Sequence, residues 1–319
     1  MANRALAFIS GFVALHALLG CGASSGDTGT ERRSVAAAGG GATNSAASGT
    51  GSSLDFGAPP GMITMPVGTN PNGLSGSSCQ EAVVLFVLDG SGSMAEPFGT
   101  ATRWTAMRSA LLDPQTGFIT RFQNDAQFGM MLYDGAISGG RSRAGTTQTA
   151  PMCGARMSGA MCPRLVTVAP KKGNGTAIEA MFPMRELGGS TPTDKALFSA
   201  IDQLTASMKL PGNANRPHFI VLATDGEPND LCTMSDDSDN TPQKMCVLQA
   251  VDMAAAAGII TFVISLAGGD QGLEAHLTDV AHHGNPKDPT AHTYSPMTPD
   301  DLVQTLKMVL TSALGCELQ

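Results

Sequence analysis

Aromatic residues are scarce in this chain, 5% of the total with a single Trp, so it lacks the material of an aromatic-rich sandwich core. Charge is also sparse at 14%, and the net balance is acidic, -8 at pH 7, with few basic clusters. That sign gives no electrostatic basis for a nucleic-acid partner. Neither a Cys-x-x-Cys pair nor a His-Glu-x-x-His stretch occurs, which removes the common zinc frameworks. The apolar stretch from Ala5 to Leu19 falls short of the roughly 20 residues that a membrane span needs. The apolar residues are chiefly Ala, Leu, Met and Val. With 42% hydrophobic residues over 319 positions, the chain can fill the core of one α/β domain.

The N-terminus sets the compartment. Residues 1–20 carry one basic side chain, Arg4, ahead of that apolar stretch, the layout of a signal peptide. The stretch ends in Leu18-Leu19-Gly20-Cys21, which resembles the lipobox of bacterial lipoproteins. The resemblance implies diacylation of Cys21 as the first mature residue, and a place in the bacterial cell envelope. Because Gly22 and not Asp follows, it points to the outer membrane, on its periplasmic or its surface face. The alternative is an ordinary cleaved signal peptide with a chance cysteine. Residues 21–78 are Gly, Ala, Ser, Thr and Pro with hardly an apolar cluster, including Gly39-Gly40-Gly41 and Pro59-Pro60. Such a segment buries too little to fold and reads as a disordered tether. At about 55 residues, it would reach about 40 Å.

Of the seven cysteines, the six beyond Cys21 are Cys79, Cys153, Cys162, Cys232, Cys246 and Cys316. An even set in an exported chain suggests disulfides, although six cysteines allow 15 connectivities. Nearness along the chain pairs Cys153 with Cys162 and Cys232 with Cys246, and a Cys79–Cys316 link would staple the two ends of a domain spanning 79–316.

Within that domain, Ala82 to Leu88 is an unbroken apolar run ending in Asp89, the pattern of a strand buried on both faces. A second run, Phe219 to Ala223, ends at Thr224-Asp225. Further strands are expected at 128–133, 165–168 and 259–266. Helices are expected at 106–122, 177–187, 194–208, 247–257, 273–281 and 301–314. This alternation implies an α/β fold, a doubly wound and mostly parallel sheet flanked by helices. Ligands of such sheets bind beyond the carboxyl ends of strands, where the winding reverses. Both aspartates fall at such ends. A carboxylate there does not serve the core and asks for a cation or a donor network.

Asp89-Gly90-Ser91-Gly92-Ser93 offers a carboxylate and two hydroxyls at alternate positions, with glycines that let the backbone turn tightly. Small hard cations such as Mg²⁺ take six oxygens, keep several waters and need few carboxylates. Here the sequence resembles the von Willebrand factor type A family, whose metal-ion-dependent adhesion site has three parts. Asp89, Ser91 and Ser93 match its Asp-x-Ser-x-Ser loop. Thr191, in Gly188-Gly189-Ser190-Thr191-Pro192-Thr193, matches its threonine, with Thr193 as the competing choice. Asp225, in Thr224-Asp225-Gly226, matches its aspartate. The resemblance covers about residues 80–315. It implies that Ser91, Ser93 and either Thr191 or Asp225 touch the ion (Mg²⁺, or Mn²⁺ or Ca²⁺), while Asp89 holds it through water. When Thr191 is the direct ligand, the ion seeks an Asp or Glu from a protein partner.

The expected function is therefore an envelope-anchored binding protein, not an enzyme, whose membrane contact is the N-terminal lipid alone. A structural lipoprotein with a fold-stabilising metal is the alternative. A hydrolase using Ser91 or Ser93 is a weaker one, since neither a Gly-x-Ser-x-Gly elbow nor a base partner accompanies them. The acidic stretch Asp236-Asp237-Ser238-Asp239-Asn240 lacks the glycine and closing glutamate of a calcium loop and reads as solvated.

Overall fold

The computed structural model describes residues 81–135, 153, 163–229 and 240–315. The expected signal peptide, the Cys21 lipid site, the tether to residue 78, the 236–239 acidic stretch, and Cys79, Cys162, Cys232 and Cys316 lie outside those residues.

In chain order the elements are β1 (Val83–Asp89), β2 (Pro97–Phe98), β3 (Ala101–Thr102), α1 (Arg103–Leu112), α2 (Phe118–Phe122), β4 (Gln127–Asp134), β5 (Arg164–Lys171) and α3 (Gly175–Met181). There follow α4 (Thr193–Met208), β6 (His218–Thr224), α5 (Thr241–Ala256), β7 (Ile259–Ser265), α6 (Gln271–Gly284), β8 (Thr293–Tyr294) and α7 (Pro299–Leu314). Among the described residues, beside the two-stranded β2-β3 pair, a six-stranded sheet runs β5-β4-β1-β6-β7-β8. Its neighbours pair in parallel except β5, which lies antiparallel against β4 at one edge.

Burial on both faces explains the unbroken apolar runs. Every residue of β1 and of β6 is buried. Because successive side chains of a strand point to opposite faces, β1 feeds two cores. Val84, Phe86 and Leu88 pack with Trp104, Met107, Phe118, Leu306 and Leu310 of α1, α2 and α7. Val83, Leu85 and Val87 pack with Leu197, Val247, Leu277 and their neighbours on α4, α5 and α6. Fully burying one such aliphatic side chain contributes about 1.5–3 kcal/mol.

The winding starts at β1, proceeds to β4 and β5 on one side, then jumps to β6 and continues outward on the other. The reversal therefore falls between β1 and β6, the strands whose ends carry Asp89 and Asp225.

Several expected boundaries move. The helix expected over 106–122 is two helices: Pro114 cannot continue α1, and Asp113 Oδ1 accepts from the Gln115 and Thr116 amides to form the intervening turn. Gly117 is required there, since a Cβ would lie 2.3 Å from the Asp113 nitrogen. The helix expected over 177–187 stops at Met181, ahead of Pro183. α5 begins at Thr241, six residues before its expected start, with Pro242 in the first turn where no amide donor is needed.

The early start of α5 bears on the cysteines. Cys246 sits on the second turn of that helix, buried, and bonds to Cys153 with a Cα–Cα separation of 5.1 Å. The expected Cys153–Cys162 and Cys232–Cys246 pairs are thereby corrected. Nearness along the chain misled because α5 sets Cys246 beside Cys153, 93 residues away in sequence.

Non-reducing peptide mapping is expected to recover Cys153 linked to Cys246; a Cys153–Cys162 peptide would contradict the structure. Closing a 93-residue separation stabilises by up to about 4.5 kcal/mol in the chain-entropy model, so Cys246→Ser is expected to lower the denaturation midpoint measurably.

Candidate metal centre

Asp89 ends β1 with no solvent exposure. Its Oδ1 accepts the Ser91 amide at 2.8 Å, and its Oδ2 accepts the Thr224 hydroxyl at 2.7 Å, so the carboxylate is tied to its own turn and to β6 at once. Gly90 threads a narrow gap. Its amide donates to the Tyr133 carbonyl at 2.8 Å, its own carbonyl accepts from the Leu187 and Gly188 amides, and a Cβ would lie 3.0 Å from Leu187. Beyond it Ser91 Oγ and Ser93 Oγ lie 3.0 Å apart, and Ser93 Oγ donates to Asp225 Oδ1 at 2.8 Å across 132 residues of sequence.

The third loop arrives through glycines. Gly188 and Gly189 have φ of +81° and +98°, a region that side chains disfavour. The loop is laced to its neighbours: Gly92 donates to the Gly189 carbonyl, Gly135 donates to that of Ser190, and Thr191 and Asn229 exchange bonds at 3.0 Å. An ideal Cβ on Gly226 would lie 3.4 Å from Thr191 Oγ1 and 3.7 Å from Ser93 Oγ, so both hydroxyls face the space over that glycine. Thr193 does not join them. Its hydroxyl bonds to Tyr133 OH at 3.1 Å, inside the fold. The structure thus brings Asp89, Ser91, Ser93, Thr191 and Asp225 together.

Burying two carboxylates this close is costly. Burial, and then the nearby charge of Asp225, push the Asp89 carboxyl up to about 7 against the pull of Thr224 and Ser91. Burial also raises Asp225, opposed by Ser93 and Arg103. The donors are all oxygens, three hydroxyls and two carboxylates. Among the described residues, no group of three or more His, Cys, Asp or Glu side chains is placed to hold a metal. A hydroxyl-rich set of this kind suits a small hard cation that keeps its waters.

Arg103, Thr224, Asn229 and the Asp134–Arg164 pair also serve the site, without a motif in the sequence that marks them. Arg103 Nη1 reaches Asp225 Oδ2 at 2.7 Å, Glu96 Oε2 at 2.8 Å and the Ser93 carbonyl at 3.3 Å. As the first residue of α1, its cation opposes the helix dipole, so Arg103 serves something other than α1. Arg164 grips the buried Asp134 through Nε and Nη2 at 2.8 and 2.6 Å, and also donates to the Leu187 carbonyl, which steadies the 187–191 loop.

Residues 167–307 match the family model of the von Willebrand factor type A domain. The matched region holds Thr191 and Asp225 and begins after the Asp89–Ser93 loop. The doubly wound, mostly parallel sheet flanked by helices that the alternation of strands and helices implied is the architecture observed. The pilus adhesin SpaC from Lactobacillus rhamnosus GG is 16% identical with a TM-score of 0.49, over 74% of this chain and 31% of that one. A variant of the PilB minor pilin from Streptococcus sanguinis is 15% identical with a TM-score of 0.48, over 76% of this chain and 62% of that one. The SpRpn10 VWA domain is 15% identical with a TM-score of 0.44, over 72% of this chain and 95% of that one. The chain thus spans about a third of the adhesin's length and 62% of the pilin's. No curated protein sequence matches it.

On the far side of Asp225, Glu227 accepts from Lys244 and from Asn240, joining the loop after β6 to the start of α5. Lys244 holds the Glu227 carboxyl below its ordinary range. Nearby His276 is 7% exposed on α6, and its Nε2 has no hydrogen-bond partner. Burial, and then Lys244, depress its pKa to about 4. Since the unfolded imidazole protonates near 6.5, acid favours the unfolded chain as pH falls from about 6.5 to about 4. Denaturant midpoints are expected to drop across that window in the native protein and to drop less in His276→Gln; equal slopes would contradict this.

Proposed function

We propose that this chain is a cell-envelope-anchored binding protein that captures an acidic group of a protein partner at a Mg²⁺-type adhesion site. One observation carries the reading: five oxygen-bearing side chains from three loops converge where the sheet's winding reverses. Ser91, Ser93 and either Thr191 or Asp225 would hold the cation, with Asp89 behind them. Bound there, a divalent cation supplies Lewis acidity toward a carboxylate oxygen from outside.

The chain's own residues prepare for that visitor. Ser91 and Thr224 fix both oxygens of Asp89, so the loop is shaped in advance. Asp225 is committed on both sides, to Ser93 through Oδ1 and to Arg103 through Oδ2. With Thr191 as the close ligand, the cation would be left in want of an external acid. Binding is favoured over hydrolysis because the Ser91 hydroxyl bonds to that of Ser93, which also bonds to a carboxylate that an arginine already holds. In this proposal Cys21 carries the lipid and residues 21–78 the reach. The burial of both aspartates also supports a second reading, a cation that only stabilises the fold.

Capture of an envelope protein by the mature chain is expected in Mg²⁺ and lost in EDTA and in Asp89→Ala, with circular dichroism unchanged. Thr191→Val is expected to weaken capture at least tenfold. Thr193→Val is expected to cost only about 1 kcal/mol of stability. A partner retained equally with and without chelator contradicts the proposal, and chelation that lowers only the melting temperature selects the second reading.

A further inference from the structure

Two arginines hold buried aspartates at this end of the sheet, and they hold them differently. Arg164 engages Asp134 as a fork, Nε on one oxygen and Nη2 on the other. Such bidentate pairs are the strong form of this contact. Arg103 meets Asp225 through Nη1 alone, and the same nitrogen is shared with Glu96 and the Ser93 carbonyl. Its Nε is buried with no hydrogen-bond partner. Arg103 thus holds Asp225 at the cost of an unmade buried donor, about 1–3 kcal/mol.

We infer that Arg103 is an internal counter-cation of the adhesion site: it neutralises Asp225 when no divalent ion is present and competes with that ion, setting its affinity. The inference rests on the proposed cation site and adds the residue that tunes it. The side chain is placed for exchange. It enters from the first residue of α1, after the β2–β3 hairpin, with its backbone amide bonded to the Glu96 carbonyl. Glu96 is 58% exposed at its side chain and can keep the guanidinium when Asp225 releases it. A divalent ion bound beside Ser93 would stand next to this positive charge, and like charges at such range disfavour each other. Removing Arg103 therefore acts twice in one direction: it relieves the repulsion, and it leaves the metal-free state with an uncompensated buried carboxylate.

Calorimetric titration with Mg²⁺ and Mn²⁺, and melting in EDTA and in saturating Mg²⁺, test this on the mature chain and on Arg103→Gln, Arg103→Lys, Glu96→Gln and the Glu96→Gln/Arg103→Gln double variant. Arg103→Gln is expected to bind the ions at least tenfold more tightly. It should also melt lower than the native chain in EDTA, with the deficit closing in saturating Mg²⁺. Arg103→Lys, which keeps the charge, should stay within about threefold of native affinity. Glu96→Gln should weaken ion binding in the native background and have little effect once Arg103 is gone. Native or weaker affinity in Arg103→Gln, with the native chain binding one ion, overturns the counter-cation role and leaves the adhesion site standing. No ion bound by either chain overturns both.

Discussion

Two aspartates stand at the carboxyl ends of adjacent parallel strands, one fully buried and the other nearly so. The site is organised around that constraint. Neither can stay ionised there without help, because each carboxylate loses its water and meets the field of the other. The surroundings answer with donors: a backbone amide and a threonine hydroxyl on Asp89, a serine hydroxyl and an arginine on Asp225. These hydrogen bonds and the single guanidinium offset part of the cost. A hard divalent ion among the same oxygens would offset more, and that difference is the thermodynamic basis of the proposed function.

The fold places the pair where such a difference can be used. β1 and β6 are fully buried strands that form the rigid middle of the sheet, and the winding reverses between them. Rigid strands fix Asp89 and Thr224. The loops beyond carry the adaptable oxygens of Ser91, Ser93 and Thr191. Glycines at 90, 188 and 189 let three loops approach within hydrogen-bonding distance, and the exchange between Thr191 and Asn229 joins two of them. The site is thus positioned by elements whose stability comes from the two cores.

The sequence carried the strand-end aspartates and the serine loop plainly, because a carboxylate that closes an apolar run has no place in the core. The central strands and the long helices α4 and α7 were legible for a related reason: continuous or periodic apolar patterns survive any detail of tertiary contact. Short elements were not. β2, β3 and β8 are two residues each and have no period to detect. The break between α1 and α2 hung on one proline and one glycine inside an otherwise helical pattern. Cys246 pairs with Cys153, a partner 93 residues away, a fact of the fold that spacing along the chain does not encode. Arg103 looked like any surface arginine, since its partner Asp225 lies 122 residues on. Thr193 turns its hydroxyl to that of the buried Tyr133, while the Thr191 hydroxyl faces the space it shares with Ser93.

The most direct measurement is the anomalous scattering of crystals soaked in Mn²⁺, which locates the ion without reference to function. The account requires one strong peak bounded by Ser91 Oγ and Ser93 Oγ at about 2.1–2.2 Å, with Thr191 or Asp225 alongside and Asp89 one water removed. A peak seated elsewhere, such as on the 236–239 carboxylates, or none at saturating Mn²⁺ with the three loops in their present positions, would contradict it.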